Sequence, residues 1–362
     1  MNQGPPPMIR KSLLAALAAT LLPLAANAAD TPTPELGRQY ARPQEAVDLG
    51  GRQLNLFCLG SGPRTVLFDA GGSDWSDVWA LVQPAVAKTA RACAYDRAGL
   101  GHSDPAPKPR TPAEIAHDLH GLVSAAKLQT PLVVVGHSLG GFNVKLYAAL
   151  YPDDVAGLVL LDPSEDRSAE RSRPLLRRQF GPSIAARSEL ADLTFLAWLK
   201  DRYTRCAEAA REKPLDPASP IYRRCTDAVR ARLGPEIAAE RTRVQVTSPY
   251  QTAQASEILN SIYASDRADP VYADLFRRGA FGRKPMIVLT HGDHDLADPL
   301  DVASQAAGVA LHEETSRLSR IGRHRVVPGS GHYIQLDQPA AVTGAISEVL
   351  AALPATARTQ DE

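Results

Sequence analysis

The stretch VVVGHSLGGFNVKLYAALYP, from Val133 to Pro152, joins a β-branched apolar run directly to a helix-forming run. Ser138 stands at the junction, with Gly136 two residues before it and Gly140 two residues after it. Glycine has no Cβ, so the chain can turn sharply here and leave the serine hydroxyl exposed above the end of the strand. The stretch therefore predicts a strand–turn–helix unit that presents Ser138 as a nucleophile.

Strand and helix patterns alternate around this unit, which is typical of a mostly parallel sheet flanked by helices. Before residue 164 the strand patterns are EAVDLGGRQLNLFCLG, RTVLFDAGG, RACAYD, PLVVVGHS and DVAGLVLLDP, and after residue 284 they are KPMIVLTHG and GRHRVVPGSG. Residues 164–284 are rich in Arg, Ala, Glu and Pro and carry helical patterns. We therefore expect an α/β core over 44–163 and 285–354, divided by an insertion of several short helices over 164–284.

A serine hydroxyl needs a base within reach, a group that orients the base, and donors for the oxyanion that forms. Of the nine histidines, His332 follows the last strand pattern and has small residues before it, so it is the predicted base. His137 is adjacent to Ser138, and neighbours on such a turn point apart. His117 and His120 lie on a predicted helix beside charged residues, which is typical of surface groups.

The orienting carboxylate is expected after the strand MIVLT, where the segment HGDHD contains Asp293 and Asp295. Asp295 is the preferred candidate, because its longer reach past Gly292 lets the side chain turn toward the serine. Asp293 is the second candidate, and Asp162, at the end of LVLLD, is the third. The segment also contains four candidate metal donors, but adjacent donors on one short loop rarely all point inward, so no metal site is predicted: His291, Asp293, His294 and Asp295.

The oxyanion needs backbone donors. The Leu139 amide lies at the start of the predicted helix, where it can face developing negative charge. The second donor is expected in the loop after TVLFDAGG, from Gly72 or, as the next candidate, Ser73. This chemistry requires no metal or organic cofactor.

The N-terminus has the pattern of a cleavable export signal. Arg10 and Lys11 precede an apolar run over 13–24, and small residues lead to a cleavage site near Ala28. The run is too short to span a bilayer, so no stable membrane anchor is expected, although an uncleaved anchor is the alternative. The mature protein would be periplasmic or secreted, with a flexible lead-in over 29–43 and a disordered tail over 355–362.

Export would allow the four cysteines to form disulfides. Cys206 and Cys225 lie in one polar helical region, where a bridge would close a loop of about twenty residues. Cys58 and Cys93 lie near the ends of predicted strands, and the residues alone leave open whether they are buried free thiols or a pair.

The chain of 362 residues has 40 basic and 40 acidic side chains, so no basic field would attract nucleic acid. The arginine-rich stretch over 167–178 is interpreted as a solvated helix face rather than an anion site. Nothing in the sequence determines the oligomeric state.

These motifs together resemble the α/β-hydrolase superfamily over about residues 45–354. GHSLGG resembles its nucleophile elbow, YDRAGLGHSDP over 95–105 the loop after its fourth strand, and GDHD and GSGH its acid and histidine loops. The chain order Ser138, Asp295, His332 is also the order that the superfamily uses. One departure is Ala70-Gly71, where many members have His-Gly; the backbone donor survives this change.

The resemblance implies the α/β-hydrolase fold, an eight-stranded, mostly parallel sheet whose second strand is antiparallel, with the insertion forming a helical cap over the active site. It also makes the second and fourth strands neighbours, so that Cys58 and Cys93 would face each other and could form a second disulfide. Serine rather than aspartate at the elbow argues against reactions on halides or epoxides, which need a carboxylate nucleophile.

The predicted function is therefore an exported, carboxylesterase-like serine hydrolase that cleaves an ester or related acyl bond of a small molecule. An aminopeptidase or amidase would use the same residues and hold a substrate amine on the cap, where Glu165, Asp166 and Glu170 are candidates. A cofactor-free perhydrolase or acyltransferase would differ in water access. A non-catalytic binding protein is the alternative from another class, although the candidate triad is complete.

Overall fold

A computed structural model of the protein describes residues 31–263 and 270–354. The predicted export signal over 1–28 and the predicted tail over 355–362 lie outside these residues. In the part of the chain that is described, no helix is both long enough and apolar enough to cross a bilayer.

The core is one eight-stranded sheet in the order β1-β2-β4-β3-β5-β6-β7-β8, as the resemblance implied. Strand β2 is antiparallel to both β1 and β4, and the pairs from β3 to β8 are parallel. The strands are β1 Glu45–Asp48, β2 Gln53–Leu59, β3 Thr65–Asp69, β4 Arg91–Tyr95, β5 Leu132–His137, β6 Val155–Leu161, β7 Met286–His291 and β8 Arg323–Val327.

Twelve α-helices lie within the described residues, and they cover the sheet and form the insertion. Those of the core are α1 Pro34–Tyr40, α2 Gln83–Val86, α3 Pro112–Ala125, α4 Leu139–Leu150, α10 Pro299–Ser316, α11 Ile334–Asp337 and α12 Pro339–Ala351. Those of the insertion are α5 Ser168–Ala209, α6 Tyr222–Cys225, α7 Gly234–Gln245, α8 Ser248–Asn260 and α9 Pro270–Leu275.

The continuous apolar run of β5 has a direct structural cause, since both faces of the strand are covered. Val134 packs into a cluster on one face of the sheet, and Val133 and Val135 pack into a cluster on the other face. All six residues of the strand are buried. The turn that contains Ser138 therefore follows a fully buried strand in the middle of the sheet.

Two segments differ from the expected elements. The pattern of SDVWALVQPAVAKTA favours one helix, but the segment contains a 3₁₀ turn over Ser76–Trp79 and the single turn α2, because Pro84 has no N–H to continue a helix through it. The expected flexible lead-in contains α1, whose Tyr40 is buried against Phe57 with ring centroids 4.6 Å apart. The Tyr40 hydroxyl also donates to Gln83, which fixes the segment on the core.

The insertion begins with α5, whose 42 residues form two helical segments that meet at a kink. Gly181 kinks this helix, with a φ of 81° that favours glycine. Leu199 and Tyr203 of α5 pack against Ile258 of α8, which closes the insertion over the carboxyl ends of the central strands.

Both cysteine pairs are at bonding distance, as the sequence and the resemblance predicted. The sulfur atoms of Cys206 and Cys225 are 1.98 Å apart, and those of Cys58 and Cys93 are 2.09 Å apart. Cys58 and Cys93 are direct partners in the antiparallel register of β2 and β4. Two disulfides in one chain are typical of an oxidising compartment.

Candidate active site

Ser138 occupies a strained turn between β5 and α4, with φ 51° and ψ −120°. A positive φ is costly for a residue with a Cβ and marks a functional constraint. A Cβ on Gly136 would overlap the backbone of Gly140, and one on Gly140 would overlap Asp69 and Ala70. Glycine is therefore needed at both positions, because neighbouring backbone segments lie too close to leave room for a side chain.

A cavity of about 530 Å³ opens above this turn, between the sheet and the insertion. Ser138, His332, Asp162 and Gly72 all line it. Apolar and aromatic side chains of the insertion form one side: Phe195, Leu199, Tyr203, Ile258 and Tyr263. A more polar side comes from β7 and α10: His291, Asp301, Ser304, Gln305, Gly308 and His312. The predicted nucleophile and base thus share one cavity of a size suited to a small organic molecule.

The His332 ring is oriented by Asp162, whose Oδ2 lies 2.6 Å from His332 Nδ1. His291 Nδ1 lies 2.8 Å from the same oxygen. Burial acts to raise the Asp162 pKa, but the hydrogen bonds from His291 and His332 outweigh it and hold the pKa well below its usual range. The carboxylate is therefore ionised and fixes His332 with Nδ1 protonated, which leaves Nε2 free to accept a proton.

The structure does not bring the preferred acid, Asp295, to His332. Its carboxylate is exposed and accepts a hydrogen bond from the Ala297 amide at 2.8 Å, within its own loop. Asp293, the second candidate, is also exposed. Asp162, the third candidate, is the one in contact with the imidazole.

The register of the sheet explains this outcome. His137 at the end of β5 is paired with Leu161 at the end of β6, so Ser138 and Asp162 follow neighbouring parallel strands at the same level. The Ser138 amide donates to the Leu161 carbonyl at 2.9 Å. The position of Asp162 directly after an apolar strand was the sequence feature that could have identified the carboxylate beside His332. The distance of Asp295 from the end of its strand in the HGDHD segment did not identify it.

The HGDHD side chains have separate partners rather than a common centre. His291 binds Asp162, His294 Nδ1 donates to the Gly292 carbonyl at 2.9 Å, and Asp295 caps its own turn. Within residues 31–263 and 270–354, no group of three or more His, Cys, Asp and Glu side chains is arranged to hold a metal ion.

The Ser138 hydroxyl has a neighbour other than His332 in this structure. Its Oγ lies 3.4 Å from Ser164 Oγ, and Ser164 is in turn hydrogen-bonded to the Tyr263 hydroxyl. Among the described hydrogen bonds, none joins Ser138 to His332. Such bonds are often absent before substrate binds, and the Ser138 hydroxyl can accept from Ser164 while it donates to His332.

His137 supports the histidine loop and does not face the serine hydroxyl. Its Nε2–H donates to the His332 carbonyl at 2.9 Å, and the two ring centroids are 4.7 Å apart. Burial is the main cause that lowers the His137 pKa to about 3, with the charge of His332 adding to it. The ring is therefore neutral, and its hydrogen bond to the His332 carbonyl supports the loop that contains His332.

The predicted oxyanion donors lie beside the serine. Leu139 is the first residue of α4, and Gly72 lines the cavity in the loop after β3. The amide of Ser73, the next candidate, points instead toward Glu257 Oε2 at 3.4 Å, and its hydroxyl is 3.2 Å from that of Tyr203.

The acidic residues considered for a substrate amine are paired with cations of the protein. Glu165 Oε2 lies 2.7 Å from Lys145 Nζ and 3.2 Å from Arg171. Asp166 lies 3.3 Å from Arg171 and 3.2 Å from Arg167. Glu170 is exposed, and its carboxylate is 3.9 Å from Arg167. None of the three lines the cavity that contains Ser138.

A sequence model that describes the α/β hydrolase fold matches residues 64–339 of this chain. The chain therefore belongs to the α/β hydrolase family, as its motifs and sheet order indicate.

Similar proteins include hydrolases and proteins of other kinds. The 2-(acetamidomethylene)succinate hydrolase of Mesorhizobium japonicum is 26% identical over 311 residues, which cover 84% of this chain and 94% of that enzyme. The "Probable transporter efuK" of Hormonema carpetanum is 33% identical over 144 residues, which cover 37% of this chain. These residues cover 20% of that protein, so the chain spans a small part of its length. The solved structure of a thermophilic esterase from Thermogutta terrifontis has the same fold, with a TM-score of 0.54 and 22% identity over 84% of this chain and 96% of the esterase.

Proposed function

We propose that the protein is a serine hydrolase of the carboxylesterase type, acting on a small-molecule ester or related acyl compound. Ser138 Oγ attacks the acyl carbonyl while His332 Nε2 takes the hydroxyl proton. His332 then gives that proton to the departing alcohol, and an acyl-enzyme remains on Ser138. Water, deprotonated by His332, releases the acid and restores the serine.

Asp162 takes the place of the orienting acid in this scheme. The observation that supports the proposal most is the 2.6 Å contact between Asp162 and His332 in a cavity that Ser138 and Gly72 also line. An ionised carboxylate at Nδ1 stabilises the imidazolium that forms when the serine is deprotonated. The amides of Gly72 and Leu139 stabilise the oxyanion.

Ester cleavage is favoured over cleavage of a peptide with a free amine, because Glu165 and Asp166 are already neutralised by Lys145, Arg171 and Arg167. The esterase with the same fold and the related 2-(acetamidomethylene)succinate hydrolase also support hydrolysis as the reaction class. Acyl transfer to another acceptor uses the same residues and would appear as product formation that depends on the acceptor.

The proposed site of action is the periplasm or the exterior of the cell. The residues of the predicted export signal and the two disulfides support this part of the proposal.

A panel of nitrophenyl esters with acyl chains of increasing length, together with an aminoacyl anilide, tests the proposed function. Wild type is expected to hydrolyse at least one ester and to leave the anilide intact. Ser138→Ala should lose turnover while keeping the wild-type melting temperature. Equal turnover in wild type and Ser138→Ala would overturn the proposal.

A further inference from the structure

Arg97, in the loop after β4, binds the loop that contains the proposed oxyanion donor. Its Nη1 donates to the Ala70 carbonyl at 2.6 Å, and its Nη2 donates to the Gly71 carbonyl at 2.7 Å. The side chain of Arg97 is 1% exposed, so this binding takes place in the protein interior. A buried guanidinium with its fork on two successive carbonyls fixes the direction of both peptide planes.

The direction of the Gly71 carbonyl determines that of the Gly72 amide. The two groups belong to one peptide plane, and in a trans peptide the C=O and N–H bonds point in opposite directions. With the Gly71 carbonyl directed at Arg97, the Gly72 N–H is directed away from Arg97, and Gly72 lines the cavity above Ser138. Arg97 therefore orients the amide proposed to bind the oxyanion.

The insertion in turn holds Arg97 through Glu257 of α8. Arg97 Nε donates to Glu257 Oε1 at 2.6 Å and Nη2 donates to Oε2 at 2.9 Å, which is a two-pronged pair. Glu257 Oε2 also lies 3.4 Å from the Ser73 amide, and its side chain is fully buried. Asp69 Oδ1 accepts from Arg97 Nη1 at 2.6 Å and adds a second anion from the core.

We propose that Glu257 and Arg97 are positioning residues for the oxyanion hole, so that the cap supplies part of the catalytic geometry as well as covering the substrate. This inference rests on the proposed function. It extends that function, because the packing of α8 against the core would affect how tightly the site binds the transition state. If α8 moves away, Arg97 loses its two-pronged partner and keeps Asp69 as its carboxylate partner. The Gly71 carbonyl then keeps the Asp74 amide as a partner at 3.1 Å, but its contact with Arg97 weakens, and the Gly72 amide is less firmly directed at the oxyanion.

A purely structural ion pair would behave differently in kinetic measurements. Loss of an oxyanion donor lowers binding of the transition state and leaves binding of the ester ground state nearly unchanged. We therefore expect Glu257→Gln to lower kcat by about 10- to 100-fold with KM within about twofold of wild type. Asp118→Asn is the matched control, because it also removes a carboxylate that pairs with arginines, Arg52 and Arg110, and it lies outside the cavity.

Phenylboronic acid gives a second measurement that does not depend on turnover. Its boron forms a bond to Ser138 Oγ while the hydroxyl proton passes to His332, and the boron becomes tetrahedral, which places one of its own oxygens where the oxyanion forms. Glu257→Gln should weaken inhibition by the boronic acid at least about tenfold, while inhibition by the carboxylic acid product changes little. Asp118→Asn should leave both inhibition constants unchanged.

The outcomes separate the two proposals. A wild-type protein that neither hydrolyses any ester nor binds the boronic acid would contradict the proposed function itself. Active wild type together with a folded Glu257→Gln of unchanged kcat and unchanged boronic acid affinity would overturn the positioning role alone. If Glu257→Gln does not fold, Glu257→Asp keeps the buried charge with a shorter reach, and the same loss of kcat at constant KM is expected from it.

Discussion

The Nδ1 atom of His332 donates to Oδ2 of Asp162 at 2.6 Å, which joins the loop after β8 to the end of β6. Asp162 thus follows the strand next to that of Ser138, one strand before the HGDHD segment in the sheet order. His291, the first residue of that segment, binds the same oxygen at 2.8 Å.

Replacing the carboxylate that touches His332 should be far more damaging than replacing the one on the exposed loop. Asp162→Asn is expected to lower kcat by about 10³- to 10⁴-fold, because an amide cannot stabilise the imidazolium and favours the wrong tautomer. Asp295→Asn should remain within about twofold of wild type, since Asp295 only caps the turn at Ala297. Steady-state kinetics on a nitrophenyl ester measure both. The reverse order of losses would restore Asp295 as the acid.

The shared oxygen predicts a change in the pH profile. The hydrogen bond to Asp162 is the main cause that raises the pKa of His291. In acid, protonated His291 places a positive charge beside the carboxylate oxygen that also binds His332. His291→Asn should therefore move the acid limb of kcat/KM to higher pH, by about half a unit or more. An unmoved acid limb would show that His291 does not tune the pair.

Much of the fold was predictable because its cause is local. The apolar run of β5 and the glycines beside Ser138 each determine their own element. The position of His332 in the cavity with Ser138 was predictable because the loop after the last strand, with its small residues, lies at the same edge of the sheet as the serine turn. The strand patterns placed all eight strands, and the family resemblance supplied their order.

The features that were missed depend on relations between distant segments. The choice of Asp162 follows from the pairing of β5 with β6, which no single stretch of sequence contains. The proposed positioning role of Arg97 depends on a carboxylate from α8, 160 residues along the chain. The lead-in is fixed on the core because Tyr40 contacts Phe57 and Gln83, and neither contact is visible in the residues around it.

Buried His137 predicts a specific dependence of stability on pH. Burial lowers its folded-state pKa to about 3, whereas an unfolded chain protonates histidine near pH 6.5. Between these values unfolding takes up a proton, so this residue's contribution to the free energy of unfolding falls by about 1.4 kcal/mol for each unit of decreasing pH. Burial also raises the Asp77 pKa to about 7, and this group contributes with the opposite sign.

The contribution of His137 is therefore measured as the difference between two plots of the free energy of unfolding against pH, one for wild type and one for a variant that lacks this histidine. Urea denaturation of wild type and His137→Gln from pH 7 to pH 4 should give a smaller loss of stability in the variant. His117→Gln, a substitution at an exposed histidine, should follow wild type. Parallel wild-type and His137→Gln curves would mean that His137 titrates alike in the folded and unfolded chains.

The apolar side of the cavity should set the acyl chain that fits. Ile258 is 4% exposed and lies beside Gly72, so a larger side chain there fills the space next to the reacting carbonyl. Ile258→Trp is expected to lower kcat/KM for a hexanoyl ester about tenfold relative to an acetyl ester. Leu190→Trp, which enlarges an exposed residue of the same cap, should leave the ratio unchanged. A ratio that Ile258→Trp does not alter would place the acyl chain elsewhere.

The most direct test of the central claim is trapping of the acyl-enzyme. Wild-type protein mixed with a nitrophenyl ester and quenched in acid within the first turnover should carry one acyl group, found by mass spectrometry on the peptide that contains Ser138. The Ser138→Ala protein should carry none and should release no burst of nitrophenol. An acyl group on another residue, or hydrolysis at the wild-type rate by Ser138→Ala, would contradict the proposed mechanism.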